Sequence, residues 1–333
     1  TNNQIIWIFQ FSIKCYFNFL QFHEDIMTSS TLKKPGLIGW VLIILLSIIW
    51  GASFFSVSYA LEGFSPLTLS AARIVIAAVC LTTFAFISGN GLPTLRTKIG
   101  LRIWLHCLGM GLLSNAIPFS LLSWGQQYVS SGFAGISMAI VPLFVLPLAI
   151  TFIEEETFSI KKAIGFFVGF IGVVLLVGPI TSLEHNGTTF STARLACVLA
   201  AACYSVGSII TRLCPKVSLI SFSAAALILA SLIILPIALM VEGIPKTPPI
   251  TSLLAIGYLG LMPTAIATII LVKIIQTAGP SFYSLVNYQV PIWAIIFGVI
   301  FLQEKLSSQF FFAFFLIIGG IFITQVKVLN TKR

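Results

Sequence analysis

Long apolar runs separated by short polar interruptions dominate this sequence. A membrane-spanning helix needs about 20 predominantly apolar residues, and ten stretches of the chain meet that requirement. We predict spanning helices at approximately 37–60, 66–88, 100–123, 131–153, 160–179, 193–213, 217–241, 250–275, 280–302 and 308–326. Glycine and proline punctuate the interruptions, which leave no room for a soluble β-rich domain. The pattern therefore predicts an all-α integral membrane protein with ten transmembrane helices.

The apolar pattern repeats itself at a spacing of 149 residues. When residues 111–155 are shifted forward by 149, eleven positions are identical. The identical pairs include Gln127/Gln276, Pro142/Pro291 and Glu155/Glu304. Two apolar sequences can align trivially, but pairs of Gln, Pro and Glu are harder to obtain by chance. Because each copy holds five spans, an odd number, the second copy must be inverted relative to the first. Inverted repeats are typical of secondary transporters, so we predict two inverted five-helix repeats around a central cavity, with paired hinges at Pro142 and Pro291.

The same pattern divides the chain into segments. These are an N-terminal extension and cytoplasmic start (1–36), a first repeat (37–179), a linker (180–192), a second repeat (193–326) and a cytoplasmic tail (327–333). The stretch ahead of Met27 contributes to neither repeat. We interpret it as an upstream extension that lies at the membrane surface or has no fixed structure. An eleventh span is the alternative.

Composition and charge limit the possible functions. A chain that is 58% hydrophobic and 8% charged, with a mean hydropathy of +1.07, is not an ordinary soluble domain. The net charge of +9 could indicate nucleic acid, but the basic residues are scattered between apolar runs, so we expect no nucleic-acid partner. With the N-terminus inside, twelve basic residues fall on the cytoplasmic side and three on the other: Arg194, Lys246 and Lys305. This asymmetry predicts a multi-pass protein of the cytoplasmic (inner) membrane with both termini cytoplasmic.

Signatures of enzymes and metal sites are missing from the sequence. It contains no His-Glu-x-x-His, no Gly-x-Ser-x-Gly and no phosphate-binding glycine-rich loop,. The six cysteines lie mostly within apolar runs without metal-ligand spacing,. We therefore expect no enzymatic activity, no metal and no cofactor. His106 is either an interfacial side chain bonded to the backbone or part of a proton relay.

Arg73 is the strongest single candidate for a functional residue. It lies within the second apolar run, where an ionisable side chain is costly unless it faces the bundle interior and finds a partner. No carboxylate lies within a predicted span, so backbone carbonyls, polar side chains or an anionic group of a substrate must neutralise it. A binding or gating role and a role as a structural brace both remain open.

Polar and aromatic residues concentrate in several of the predicted spans, where buried amides and phenols need partners. They are expected to face the bundle interior, either as contacts between helices or as the wall of a solute cavity. Besides Arg73, the candidate cavity residues are Trp50, Asn115, Trp124, Gln127, Tyr204, Tyr283, Asn287, Tyr288 and Trp293.

Four segments together resemble the EamA family of the drug/metabolite transporter superfamily. They are residues 131–142 continuing to Glu155, residues 283–293 continuing to Glu304, residues 49–54 (Ile-Trp-Gly-Ala-Ser-Phe) and residues 71–73 (Ala-Ala-Arg). The resemblance covers residues 37–326 and rests on the order and spacing of these motifs. It implies ten helices in two inverted repeats, a central cavity and transport of small metabolites, often export of amino acids or related compounds.

These observations favour a secondary transporter that exports a small polar or amphipathic metabolite, such as an amino acid or derivative, by alternating access. Its partners are then a small-molecule substrate and the lipid bilayer, and the sequence does not indicate an oligomeric state. Uptake or exchange of a nucleotide-like or sulfonium metabolite is the alternative within transport. A non-transporting membrane protein, either a lipid-handling subunit or an intramembrane enzyme, is the alternative from a different class.

Overall fold

The computed structural model describes residues 37–152, 159–177, 187–245, 247–278, 286–305 and 308–325, and this part of the chain is helical without strands. The first five helices are α1 (Leu37–Leu61), α2 (Pro66–Ile87), α3 (Lys98–Gly111, Leu112–Ala116, Ile117–Gly125), α4 (Ser131–Ser137, Met138–Ile140, Val141–Phe152) and α5 (Ile160–Val177). The next five are α6 (Gly187–Arg212), α7 (Leu219–Val241), α8 (Ile250–Gly260, Leu261–Ile266, Ala267–Ala278), α9 (Val286–Leu302) and α10 (Ser308–Gln325).

Seven of the described helices are long and apolar enough to cross a membrane: α1 to α4 and α6 to α8. Helices α5, α9 and α10 contain shorter apolar segments, at Ala163–Leu176, Gln289–Leu302 and Ser308–Gly320. The chain is therefore a multi-pass membrane protein. Most helix ends lie within a few residues of the bounds expected from hydropathy.

The start of α6 differs from the sequence expectation. The helix begins at Gly187 rather than near residue 193, so its first turns include polar residues assigned to the linker. Hydropathy detects only the part of a helix that matches the hydrocarbon thickness, and a helix can continue past that boundary.

Two of the helices are interrupted by a wider turn. Residues Leu112–Ala116 of α3 and Leu261–Ile266 of α8 are π-helical. Such turns insert an extra residue, loosen the local hydrogen bonding and are frequent at functional sites. Helix α4 is interrupted differently, by a 3₁₀ turn at Met138–Ile140 that precedes Pro142.

The helices pack in a regular scheme. Helix α2 packs on α7, α4 on α9 and α5 on α10. Helix α1 contacts α8 and α9, and α6 contacts α3 and α4 in the same way. The start of α2 meets the residue after α7, where the Leu67 amide donates to Glu242, and the start of α7 meets the segment after α2, where the Ser218 hydroxyl donates to Asn90. Helices α2 and α7 are thus antiparallel.

Glycines allow the closest of these approaches. A side chain at Gly111 would collide with the backbone carbonyl of Ala226 on α7, and one at Gly260 would meet Ile76 and the backbone of Arg73 on α2. Helix packing at this depth therefore depends on small residues, as is common in membrane bundles.

Candidate solute site around Arg73

The guanidinium group of Arg73 lies in the interior of the bundle. Arg73 is 5% exposed, and its Nε and Nη2 atoms donate to Oγ1 of Thr264 at 3.3 and 3.1 Å. A guanidinium group carries five N–H donors, and one hydroxyl oxygen serves only part of them. Within the described residues the positive charge is stabilised by a neutral hydroxyl rather than by a carboxylate.

Aromatic rings surround the same charge. The Cζ atom of Arg73 lies 3.7 Å from the centroid of the Phe119 ring, a cation–π contact. The phenols of Tyr204 and Tyr258 are close enough to interact with Arg73 electrostatically. Tyr204 packs against both of the two largest apolar clusters of the bundle, so this region is where the cores of the molecule meet.

The π-helical turn of α8 positions the partner of Arg73. Within it, Thr264 presents its hydroxyl to Arg73, and the carbonyl of the preceding Pro263 accepts a hydrogen bond of 3.0 Å from Nε1 of Trp50. The hydroxyl of Tyr258 donates to the carbonyl of Ile49 at 3.2 Å. Helices α1, α2, α3, α6 and α8 therefore all contribute to one polar and aromatic site.

Three of the residues predicted from sequence meet here, and the others lie elsewhere. Arg73, Tyr204 and Trp50 belong to this site. Asn115 is buried in the π-helical turn of α3, where Nδ2 donates to the carbonyl of Met110 at 3.4 Å.

A second group of predicted residues lies at the end of α3. Trp124 packs against Tyr128 with ring centroids 5.4 Å apart. Gln127 is exposed and lines two open cavities of about 400 and 390 Å³. The first is also lined by Tyr128, Thr189 and Phe190. The hydroxyls of Ser70 on α2 and Ser123 on α3 lie 3.4 Å apart. Ser70 precedes Arg73 on α2 and Ser123 lies just before the end of α3, so this contact lies between Arg73 and this end of the bundle.

The candidates on α9 form a different environment. Trp293 stacks on Phe297 at 5.9 Å, and Phe297 in turn contacts Phe55 of α1 at 5.6 Å. Asn287 is half-buried near the start of α9. Tyr283 lies outside the described residues, as does the side chain of Tyr288.

Of the two predicted hinges, Pro291 is buried within the continuous helix α9, whereas Pro142 follows the 3₁₀ turn of α4.

Sequence reasoning missed Phe119, Tyr258 and Thr264. An apolar ring and a single hydroxyl in a hydrophobic run carry no signal of their own. The repeat did contain a signal for Thr264, because the shift of 149 residues aligns it with Asn115, one of the predicted cavity residues.

A model of the EamA-like transporter family matches the chain twice, at residues 37–178 and 191–326. The chain belongs to the EamA-like transporter family. It is 27% identical over 274 residues to the "Uncharacterized inner membrane transporter YedA" of Escherichia coli K12, a match that covers 79% of this chain and 82% of YedA. It is 24% identical over 290 residues to Protein PecM of Dickeya dadantii, covering 86% of this chain and 91% of PecM.

A solved structure supports the fold alone. The chain of one solved crystal structure superposes on this transporter with a TM-score of 0.62 and 21% identity, over 87% of this chain and 96% of the other. The family makes the chain a membrane transporter, with a small-molecule substrate and a bilayer as its environment.

Proposed function

We propose that this transporter exports a small polar or amphipathic metabolite with an anionic group, such as an amino acid or derivative, across the inner membrane by alternating access. Arg73 carries the proposal. Its charge is buried without a carboxylate among the described residues, and donors remain beyond those that Thr264 accepts. A carboxylate is the planar acceptor that a guanidinium group binds best.

The proposed mechanism needs ten spans arranged as two inverted repeats, with both termini in the cytoplasm. The double family match supports a division into residues 37–179 and 193–326 joined by a linker. The packing scheme supports equivalent halves, since the contacts of α1 with α8 and α9 correspond to those of α6 with α3 and α4. The antiparallel pair α2 and α7, the second helix of each half, is what inversion requires.

In this arrangement the solute site lies between the halves. Arg73, Phe119 and Trp50 come from the first half, and Tyr204, Tyr258 and Thr264 from the second. A movement of one half against the other would change the contacts of Arg73 with Thr264. The candidates Trp124 and Gln127 lie toward the outer mouth, and Asn287, Tyr288 and Trp293 along α9 complete the proposed path.

Counterflow into liposomes that contain the purified transporter tests the proposal. Pooled amino acids are compared with pooled nucleotides and with a sulfonium compound as labelled solutes. We expect the amino-acid pool to be transported, and Arg73→Lys to reduce its counterflow roughly tenfold, because losing the bidentate fork costs about 1.4 kcal/mol or more of binding. Arg96→Lys, in an exposed loop, is the matched control and should transport normally. Exclusive transport of the sulfonium cation, or unchanged counterflow in Arg73→Lys, would contradict an anion-binding role.

A further inference from the structure

The helix pair α2 and α7 is joined at both of its ends by side chains that follow one helix and bind the start of the other. At one end, Glu242 accepts hydrogen bonds from the amides of Leu67 and Thr68 at 3.0 and 2.7 Å, and from the Thr68 hydroxyl at 2.8 Å. Ser65, at the N-cap of α2, makes no side-chain capping bond. The carboxylate of α7 therefore caps α2 in its place, and we call this contact the Glu242 clasp.

The opposite end has a contact of the same design without a charge. Oδ1 of Asn90 accepts a hydrogen bond of 2.7 Å from the Ser218 hydroxyl, and the Asn90 carbonyl accepts one of 3.2 Å from Ser221. Ser218 is the N-cap residue of α7 and, like Ser65, makes no capping bond within its own helix. We call this contact the Asn90 clasp.

The backbone ends the two helices in the same way. Gly89 follows α2 with φ 73°, and Gly243 follows α7 with φ 75°. These left-handed residues turn the chain back at the helix end. Glu242, the residue before Gly243, reaches the partner helix at one end, and Asn90, the residue after Gly89, does so at the other.

The two clasps differ in strength. A carboxylate that accepts from amides at a helix N-terminus forms charge-assisted bonds, roughly twice as strong as neutral ones, and it also interacts favourably with the helix dipole. The Asn90 clasp consists of neutral groups and lies on an exposed residue. The Glu242 clasp is therefore the firmer of the two.

A second carboxylate reinforces the same end of the bundle. Glu304, which follows α9, accepts hydrogen bonds from the amides of Ser131 and Gly132 at the start of α4, at 2.6 and 2.9 Å. In the proposed topology, Glu242 and Glu304 both lie on the outer side, whereas Asn90 lies on the cytoplasmic side.

We propose that these clasps of unequal strength set the resting orientation of the transporter: the outer end of α2 and α7 stays shut, and the inner end opens more readily. The proposal rests on the alternating access of the proposed function. Opening to the outside must break the Glu242 clasp, and opening to the cytoplasm must break the Asn90 clasp. A cell that exports a solute would thereby keep the empty carrier available to its cytoplasmic pool.

Two matched reporters can measure this preference. Ala238 and Ala85 lie in the last turns of α7 and α2, close to the Glu242 and Asn90 clasps, and both are buried at 1% and 0% exposure. Each is changed to Cys, and the purified transporter in detergent reacts with a polar maleimide. Mass spectrometry of the individual peptides separates the reporter from the six native cysteines.

The expected result is reciprocal. Ala85→Cys should react faster than Ala238→Cys. Adding Glu242→Gln should speed the reaction of Ala238→Cys roughly tenfold and slow that of Ala85→Cys, since two states share one population. Adding Asn90→Ala should have the opposite effects. Glu62→Gln, which changes an exposed carboxylate at the same end of the bundle, should leave both labelling rates unchanged.

Any of three results would overturn the proposal. The first is faster labelling of Ala238→Cys than of Ala85→Cys when neither clasp is altered, and the second is no response to Glu242→Gln. The third is faster labelling of both reporters together when a clasp is altered. The last would indicate local loosening rather than a shared equilibrium. Labelling needs no solute, so its outcome is separate from that of the counterflow assay. Reciprocal labelling without amino-acid flux would support the clasps and contradict only the proposed substrate, whereas flux without reciprocity would contradict the clasps alone.

Discussion

Asn115 and Thr264 occupy the same place in the two halves of the chain. Each lies in a π-helical turn, and each donates from its side chain to the carbonyl five residues earlier, Asn115 to Met110 at 3.4 Å and Thr264 to Leu259 at 2.8 Å. The two residues are 149 positions apart, the spacing of the sequence repeat. Each wide turn thus carries a polar side chain that donates to a backbone carbonyl of the helical segment before it.

The halves differ in what faces these turns. Gly260, beside the turn of α8, packs on the backbone of Arg73, and Gly111, beside the turn of α3, packs on the backbone of Ala226. In the Arg73 site, the positive charge comes from the first half of the chain and its hydroxyl acceptor, Thr264, from the second half. We infer that the turns shared by the two halves allow the proposed movement, and that the residues that differ between the halves bind the solute.

Removing the Thr264 hydroxyl tests this division of roles. Thr264→Val should destabilise the transporter by about 1–3 kcal/mol, because the buried guanidinium group loses its acceptor, and should lower counterflow. Thr264→Ser should retain both properties. Thermal unfolding and counterflow per folded molecule are the measurements. Thr151→Val is the control, since among the described residues that exposed hydroxyl bonds only within its own helix, and an equal loss of transport in this variant would contradict a specific role for Thr264.

The indole groups of two tryptophans provide a matched pair. Nε1 of Trp50 donates to the carbonyl of Pro263 at 3.0 Å in the Arg73 site, and Nε1 of Trp104 donates to that of Pro93 at 2.9 Å at the start of α3. Replacing either by Phe removes one hydrogen bond and should cost about 1 kcal/mol. Only Trp50→Phe should also reduce transport, because it frees the turn that holds Thr264. Similar transport defects in both variants would show that the effect is on folding alone.

The sequence predicted the apolar helices well because the bilayer imposes a length and an apolar composition that can be read directly, and seven of the described helices are long and apolar enough to cross a membrane. It also predicted that Arg73 faces the bundle interior, since a charge in an apolar run is rare and costly, and the structure buries this side chain. Hydropathy could not detect the π-helical turns of α3 and α8, because one extra residue in a turn leaves the composition unchanged.

The same limit applies to the partners of Arg73. Phe119 and Thr264 are ordinary residues for a membrane helix, and only the packing of α2 against α3 and α8 gives them a role. Trp293 illustrates the converse. Its polar indole favoured a cavity wall, which stays a prediction, and only the structure shows that its ring stacks on Phe297 of the same helix.

The orientation of the chain is a prediction that the distribution of charge makes. Twelve basic residues against three should place both termini in the cytoplasm,. A reporter that is active only outside should therefore be inactive when fused after Arg333 and active when inserted within residues 180–192. The converse pattern would place Glu242 on the cytoplasmic side and reverse the resting orientation inferred from the clasps.

Gly298 should be essential for the carboxylate contact between α9 and α4. A methyl group there would lie 2.6 Å from Oε2 of Glu304 and 2.9 Å from Oγ of Ser131. Gly298→Ala should displace the carboxylate and leave two helix-terminal amides without an acceptor, which costs about 1–3 kcal/mol. Gly257→Ala is the matched control, because nothing lies within 4 Å of the added methyl group, and it should be neutral or stabilising through helix propensity. Thermal unfolding of the two variants decides the question: if Gly298→Ala melts with Gly257→Ala, the Glu304 contact contributes little to holding α4 and α9 together. If instead Gly298→Ala and Glu304→Gln melt lower by similar amounts and their double variant melts no lower than either, the glycine acts through the carboxylate.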